Sequence, residues 1–420
     1  MAKIQKHINM DEVISTKEVT KIENKLNAHA EHAARITMAG ENNGQSKRIK
    51  GNLKTKDNQI PILHGTSKDH KEAQNETEGP DVRPIMGAVV GPNVALSNFI
   101  GREVIRRVAD NAKSDTVCKS TEELLSRLEQ YNRDRIKNGF DKEKMILASM
   151  DIKKWYPSTI ARPSAKVIKK MIIDSGLEFE GMDYDAVSRY LAEHMSNEEI
   201  EEEKFEEIVY RKNENVKKRK KKVNKSKDVT TANDDEVTEA HKLDQMENQD
   251  LYLKPIRNPT SLEKRNMLAK SVEIMIIVTM ENHVYRFGNE IRRQREGGPI
   301  GLSLTGEIAD CYMINWDRQF LEKLKSLGID PAIYERFKDD ITILVKCLEA
   351  GLKFEHGSLI MDLEKQKVDQ EKSDEEITMA IIKDIAESVD KMLEFTVDYP
   401  GNHKIKKNAS FGCRSISKQR

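Results

Sequence analysis

The sequence predicts an α+β fold built on a split β-α-β, ferredoxin-like core, and three stretches predict it. An apolar run from Met145 to Met150 ends in Asp151, with Pro157 soon after, and reads as a buried strand that delivers a carboxylate at a strand-to-helix switch. Gln294 to Gly301 is a glycine-rich loop opening a helix through Ala309-Asp-Cys-Tyr312-Met313. Arg336-Phe-Lys-Asp339-Asp340 precedes the alternating Ile341, Ile343 and Val345, a hairpin with the Asp pair at its turn. Adding a helix after Ser373 and a strand from Leu393 to Val397 gives strand, helix, hairpin, helix, strand. In that pattern the first strand lies beside the central hairpin.

Composition narrows the class of protein. The chain has 420 residues, 34% of them charged and 5% aromatic, so it holds two or three subdomains with much solvated surface. Lys plus Arg and Asp plus Glu are 71 each, so any surface for a polyanion must come from local segregation of sign. The four cysteines, 118, 311, 347 and 413, lack C-x-x-C spacing, which argues against zinc and against a disulfide framework and for a reducing compartment. No apolar run is long enough to cross a membrane, and Met-Ala-Lys-Ile-Gln-Lys is no signal-peptide core. The expectation is an intracellular protein, nuclear or cytoplasmic, with no membrane partner and no signal for a particular oligomeric state.

From the N-terminus, Ser15-x-x-Glu18 opens an amphipathic helix with Val19, Ile22, Leu26, Ala30 and Ala33 inward. Residues 40–59 are a Lys-rich loop or arm. Lys68, Lys71 and Arg83 flank a hairpin-like turn and either hold a triphosphate, Arg as a fork and Lys as a point charge, or form a solvated basic turn. Two core helices follow, one with Leu96, Phe99, Ile100, Val104 and Val108 inward, the other opened by Ser120-x-x-Glu123 with Leu124, Leu125, Leu128 and Tyr131 inward.

After the Asp151 strand, Pro163 reads as the first residue of a helix with Val167, Ile168, Met171 and Ile172 inward, closed by Gly176. A short helix spans 183–195. Acidic residues 198–207 and basic residues 217–227 then break the pattern, and like-charge blocks predict a mobile insertion over about 205–250. Within it Lys217, Lys218 and Arg219 either bind phosphate backbones, serve as a nuclear address, or form a solvated loop. Order resumes at Thr260-x-x-Glu263 with Leu268, Val272, Met275, Ile276 and Thr279 inward, followed by a hairpin around Gly288-Asn289. Ser373-x-x-Glu376 opens a helix with Ile381, Ile382, Ile385 and Val389 inward.

The split β-α-β pairing brings Asp151 toward Asp339 and Asp340. Two adjacent carboxylates repel, and three in one cleft suit two Mg²⁺, with Mn²⁺ as a substitute, in the two-metal clamp of in-line phosphoryl transfer. A surface Asp-Asp turn is the plainer alternative.

Four motifs in this order resemble the polymerase domain of reverse transcriptases, and most of all that of Penelope-like and related retroelements, over roughly residues 60–400. They are Lys68-Asp-His-Lys71 with Arg83-Pro-Ile85, Asp151 with Tyr156-Pro-Ser, Gln294-x-x-Gly297-Gly298-Pro-Ile-Gly301, and Phe337-Lys-Asp339-Asp340. The resemblance implies a right-hand polymerase palm with helical fingers and a thumb that is largely missing. It implies an RNA-directed DNA polymerase that extends a primer with dNTPs on an RNA or DNA template. Asp151 and Asp339 would be metal ligands, with the Ile152 carbonyl helping and Asp340 supporting from the primer side. Lys71 and Arg83 would hold the triphosphate, and Gln294 and Gly301 would border the nucleotide. Tyr156 would collide with a ribose 2′-hydroxyl. Lys68 and the loop through Gly297 and Gly298 would contact template and nascent pair, gripping backbone and A-like shape.

The implied segments are 1–50 N-terminal helix, 51–144 fingers, 145–195 first palm part, 196–259 charged insertion, 260–346 second palm part and 347–420 end of palm. The chain departs from the family pattern at Thr305-Gly306, where Ser-Pro is common, at Ile300, and at Lys338, where a cation could compete with metal. It also departs after Val397, where a thumb is expected and Lys404-Ile-Lys-Lys follows. These departures point to the alternative, a catalytically inactive remnant that only binds nucleic acid or has a structural role. Family B DNA polymerases share the Asp and Tyr-Pro-Ser but end in Asp-x-Asp, and RNA-dependent RNA polymerases typically carry Gly-Asp-Asp.

Overall fold

A computed structural model describes residues 11–38, 59–67, 82–86, 90–112, 117–118, 120–139, 143–153, 155–176, 183–206, 208–209, 259–295, 297–299, 301–362 and 372–399. The strands, in chain order, are β1 (Glu12–Ile14), β2 (Leu63–Ser67), β3 (Val82–Met86), β4 (Met145–Ile152), β5 (Val284–Phe287), β6 (Glu290–Arg293), β7 (Ile333–Phe337), β8 (Asp340–Lys346), β9 (Leu352–Glu355), β10 (Ser358–Met361) and β11 (Phe395–Asp398). The helices are α1 (Thr16–Met38), α2 (Val94–Phe99), α3 (Arg106–Ala112), α4 (Thr121–Lys137), α5 (Trp155–Ser158), α6 (Ala161–Ser175), α7 (Tyr184–His194), α8 (Asn197–Glu202), α9 (Ser261–Glu281), α10 (Ser303–Ser326) and α11 (Asp374–Val389). No described helix is long and apolar enough to cross a membrane.

The chain divides into two units, each made of two segments. One holds Met1–Asn111 and Thr159–Cys311, the other Ala112–Ser158 and Tyr312–Arg420.

The second unit carries the predicted split β-α-β. Its sheet runs β11-β4-β8-β7, every neighbour antiparallel, so the four strands stand in the order 4-1-3-2. One face is apolar: Ile146, Ala148, Met150 and Ile152 on β4, with Ile341, Ile343 and Val345 on β8, are all buried. From α10, Trp316 stacks on Phe395 at 5.0 Å and Phe320 meets Tyr334 at 6.0 Å between ring centres. Aromatic side chains at such spacing dominate core burial. β4 alternates buried and exposed residues, where a strand buried on both faces was expected. Its neighbours are antiparallel, and sheets of that kind commonly leave one face to solvent.

The first unit is organised on α9. Its capping box, Thr260 with Glu263, forms as expected, and buried residues including Leu268, Met275 and Lys270 occur around the helix rather than on one side. A helix covered on all sides is a central one. Burial pushes the Lys270 ammonium down, but the hydrogen bond and charge of Glu273 at 3.0 Å, with Glu203 and Glu199 nearby, hold its pKa above the ordinary value. A three-stranded sheet, β1-β6-β5, and the hairpin β2-β3 complete the strands described in this unit.

Four expectations are corrected. α4 has its Ser120 cap but buries no residue, and Leu125 is 53% exposed: its apolar stripe only partly meets the sheet. Pro163 is the third residue of α6, because the helix starts at Ala161. Three backbone N–H groups are free there anyway, so proline is still tolerated. The insertion expected over about 205–250 does not take in Phe205, Ile208 and Val209, which are buried behind the capping box of α8; residues 210–258 lie outside those described. Between α2 and α3 the helix widens into a π-turn, Ile100–Ile105. There Gly101 backs onto Leu304, and an added Cβ would meet Glu307 Cγ at 3.4 Å.

His283, fully buried in the first unit, contacts the Asn93 amide at 3.0 Å and the Met86 sulfur at 3.1 Å. Burial lowers its pKa to about 4. The unfolded chain protonates this ring near 6.5 while the folded chain resists, so stability is full above about pH 6.5 and falls as the pH drops toward 4, by on the order of 3 kcal/mol. Melting temperatures recorded from pH 7 to 4 should decline, and His283→Gln should flatten the decline.

Candidate functional site

The site in the second unit follows from strand register. Asp151 on β4 stands directly opposite Asp340 on β8, and Asp340 stands opposite Phe337 on β7. Directly opposed residues project from the same face of a sheet. That face is the one left open beside Ser149 and Thr342, so Asp151 and Asp340 are exposed together. On the other side Thr396 of β11 pairs with Asp151 and donates its hydroxyl to the Asp151 carbonyl at 3.3 Å.

Asp339 is in the two-residue turn rather than on extended backbone, so the simple rule that adjacent side chains take opposite faces does not govern it. Lys338, the other turn residue, has φ +58°, a left-handed conformation that costs a side-chain-bearing residue about 1 kcal/mol or more. The buried Arg336 donates to the Lys338 carbonyl at 2.8 Å and holds the turn in place. The Lys338 ammonium is turned over the Phe337 ring, 5.8 Å from its centre.

Burial raises the pKa of Asp340, and the charges of Asp339 and Asp151 raise it further. Three carboxylates that resist a shared charge form a donor set for hard divalent cations. They do not form a tight single-ion cage: among the described residues, the one group of three ligand atoms mutually within 4.8 Å is elsewhere. Ile152 follows Asp151 on β4, opposite Phe395, with its side chain buried. Tyr156 is half-buried on α5, its ring 4.9 Å from that of the buried Trp155.

The glycine-rich loop belongs to the first unit. Gln294 donates from its backbone to the His283 carbonyl at 2.9 Å and from its side chain to the Gly297 carbonyl at 3.2 Å. Gly297 and Gly301 have φ of +75° and +109°, conformations glycine takes without strain, and Gly298 is buried. Arg293 and Arg295 both pair with Glu12, at 2.6 and 2.8 Å, and tie the loop to β1. Arg83 is on β3 opposite Thr66; its side chain lies outside the described residues, as do Lys68, Lys71, Lys217, Lys218 and Arg219.

Sequence reasoning missed a second cluster, in the first unit: His29 and His32 on α1, with Tyr190, Glu193 and His194 on α7. The local signal was His29-x-x-His32 on one helical face, together with Glu193-His194 at a helix end.

No protein-family model matches the sequence, and no curated protein does. Solved structures similar to the chain include three telomerases. Apo telomerase from Candida tropicalis, truncated from its C-terminal domain, is 11% identical with a TM-score of 0.33, over 68% of this chain and 43% of that one. Telomerase from Candida albicans in complex with a TWJ fragment of telomeric RNA is 12% identical with a TM-score of 0.33, over 68% and 38%. Telomerase from Candida tropicalis with the same kind of fragment is 12% identical with a TM-score of 0.36, over 86% and 47%. The likeness is distant, and the chain spans under half the length of each.

Proposed function

We propose that the chain is a reverse transcriptase-like nucleotidyltransferase of the type found in Penelope-like and related retroelements, extending a primer with dNTPs on an RNA or DNA template. One observation carries the reading: Asp151 and Asp340 face each other across neighbouring antiparallel strands, with Asp339 in the turn between β7 and β8, all on a sheet of 4-1-3-2 order.

Two Mg²⁺ or Mn²⁺ ions, held by Asp151 and Asp339 with the Ile152 carbonyl and Asp340 beside them, would make the primer hydroxyl more acidic and neutralise the leaving pyrophosphate. The chain's own groups do the rest. β4 and β8 fix two carboxylates on rigid backbone, and Arg336 fixes the third through the turn. Tyr156, wedged against Trp155, limits space beside the sugar and selects against a 2′-hydroxyl. Lys71 and Arg83 balance the triphosphate charge, Arg as a fork. Gln294 and the Gly297-to-Gly301 loop give the nascent pair and template a surface that lets backbone approach closely, while Lys68 and the basic run at Lys217, Lys218 and Arg219 hold phosphate backbone.

Primer extension on RNA and DNA templates, in Mg²⁺ and in Mn²⁺, tests this. Wild-type chain should add labelled dNTPs, Asp339→Ala should not, and Tyr156→Ala should admit ribonucleotides. Failure of the wild-type chain on every template with either ion would overturn the catalytic reading in favour of a nucleic-acid-binding remnant.

A further inference from the structure

The first unit carries a cluster that polymerisation does not use. α1 and α7 pack together, and their facing residues include His29, His32, Tyr190, Glu193 and His194. The ligand atoms of His32, Glu193 and His194 all lie within 4.8 Å of one another. The His32 Nε2 is already 3.7 Å from a Glu193 carboxylate oxygen.

We propose that His32, Glu193 and His194 form a binding site for a zinc-class divalent cation. Metal–ligand bonds near 2.0–2.2 Å in a tetrahedron put ligand atoms about 3.3–3.6 Å apart, so from separations of at most 4.8 Å the three need to close by about 1.5 Å or less, within side-chain rotamer adjustment. Two imidazoles and one carboxylate match borderline metals such as zinc; Mg²⁺ prefers oxygen alone. The site is also held in shape. The His194 ring stacks on that of His29 at 4.7 Å and meets Tyr190 edge-on at 4.4 Å, while His32 leans on Tyr190 at 4.8 Å. His29, buried, shares a 2.8 Å hydrogen bond with the Tyr190 hydroxyl, so it acts as a positioning residue rather than a ligand.

Three protein ligands leave a fourth position for solvent or a further ligand. Glu193 and His194 are exposed, so that position is open to solvent. Cysteine spacing argued against zinc, but that argument weighs cysteine alone and these donors come from helices far apart in sequence.

The test uses the full chain stripped of metal and dialysed against ZnCl₂ or MgCl₂. One zinc per chain should bind at this site with Kd of about 1 µM or tighter, and His32→Ala should diminish the rise in melting temperature given by ZnCl₂ while leaving that given by MgCl₂ unchanged. His32→Ala and His194→Ala should each weaken zinc binding by about 100-fold, and His29→Phe by about tenfold. Asp151→Asn should leave it unchanged, which separates this site from the polymerase reading. Far-UV circular dichroism checks folding; if an alanine variant unfolds, the exposed Glu193→Gln, expected to weaken binding about tenfold, carries the test. No zinc retained at ~100 µM, or equal retention by wild type and a folded His32→Ala,His194→Ala variant, overturns the proposal.

Discussion

Asp151→Asn should abolish nucleotide incorporation and, in the same molecule, stabilise the metal-free fold. Under the proposed function, Asp151→Asn would lose a charged ligand of the ions and several kcal/mol of transition-state stabilisation, and at 1.36 kcal/mol per factor of ten the loss is on the order of 10³-fold. The gain in stability has a separate cause. Burial, then Asp339, then Asp151 raise the pKa of Asp340 above its ordinary value. A carboxyl whose folded pKa is raised contributes stability below the unfolded value, near 3.8, and loses it as the pH rises through the folded value. At neutral pH, without cations, that loss is in force. Neutralising the opposed residue removes one of its causes, so the metal-free melting temperature should rise and its decline with increasing pH should become shallower. Divalent cation should stabilise the wild type more than the variant. A residue with only a structural role would lose both activity and stability on substitution. Incorporation assays beside melts in EDTA and in Mg²⁺ check this; an Asp151→Asn chain within tenfold of wild-type activity, or one that melts lower without metal, would contradict the site.

How much of this was legible in the sequence depends on the range of the signal. Helix starts are local: Ser15, Ser120, Thr260 and Ser373 each precede a Glu by three residues, and each hydroxyl accepts that residue's N–H. Strand order was legible too, because the alternation at Ile341, Ile343 and Val345 marks one covered face and β4 has to pair beside it. Register was not. A slip of one residue would move Asp151 to the covered face, and nothing within a single strand says that its partner is Asp340 rather than a neighbour. Buried charge was equally hidden. Nothing in the composition marks Arg336, Asp317, Lys270 and Glu335 as buried, yet all are, with partners supplied at least in part by other elements. The stripe of α4 misleads in the opposite sense: its period is helical, but the surface it meets is too small to cover it. Each half of the histidine cluster leaves a local mark in the sequence, but the contact that joins the halves, as between His29 and Tyr190, spans 161 positions, which no local pattern can register.

Arg336→Met should be the most destabilising single change in the second unit, at about 3–5 kcal/mol. The guanidinium is 0% exposed. Its Nε donates to Asp317 Oδ2 at 2.7 Å and its Nη1 to the Lys338 carbonyl at 2.8 Å, while the Tyr334 hydroxyl donates to Asp317 Oδ1 at 2.6 Å. Its own carbonyl accepts the Cys118 N–H at 3.0 Å, joining the start of α4's segment to β7. Methionine fills much of the volume but leaves the Asp317 carboxylate buried beside a Tyr334 whose own pKa is pushed well up by burial and by that same carboxylate. Removing the stranded charge as well should recover part of the loss, so Arg336→Met,Asp317→Leu should be more stable than Arg336→Met alone. The effect on function is separable from folding. Without the bond to the Lys338 carbonyl, the left-handed turn that presents Asp339 loses its brace. At a temperature where the double variant is fully folded, incorporation should still fall while the metal-free stability recovers. Urea titrations of the two single variants and the double variant, read beside primer extension, check both halves; strictly additive single-variant effects would show that Arg336 and Asp317 do not act as a pair.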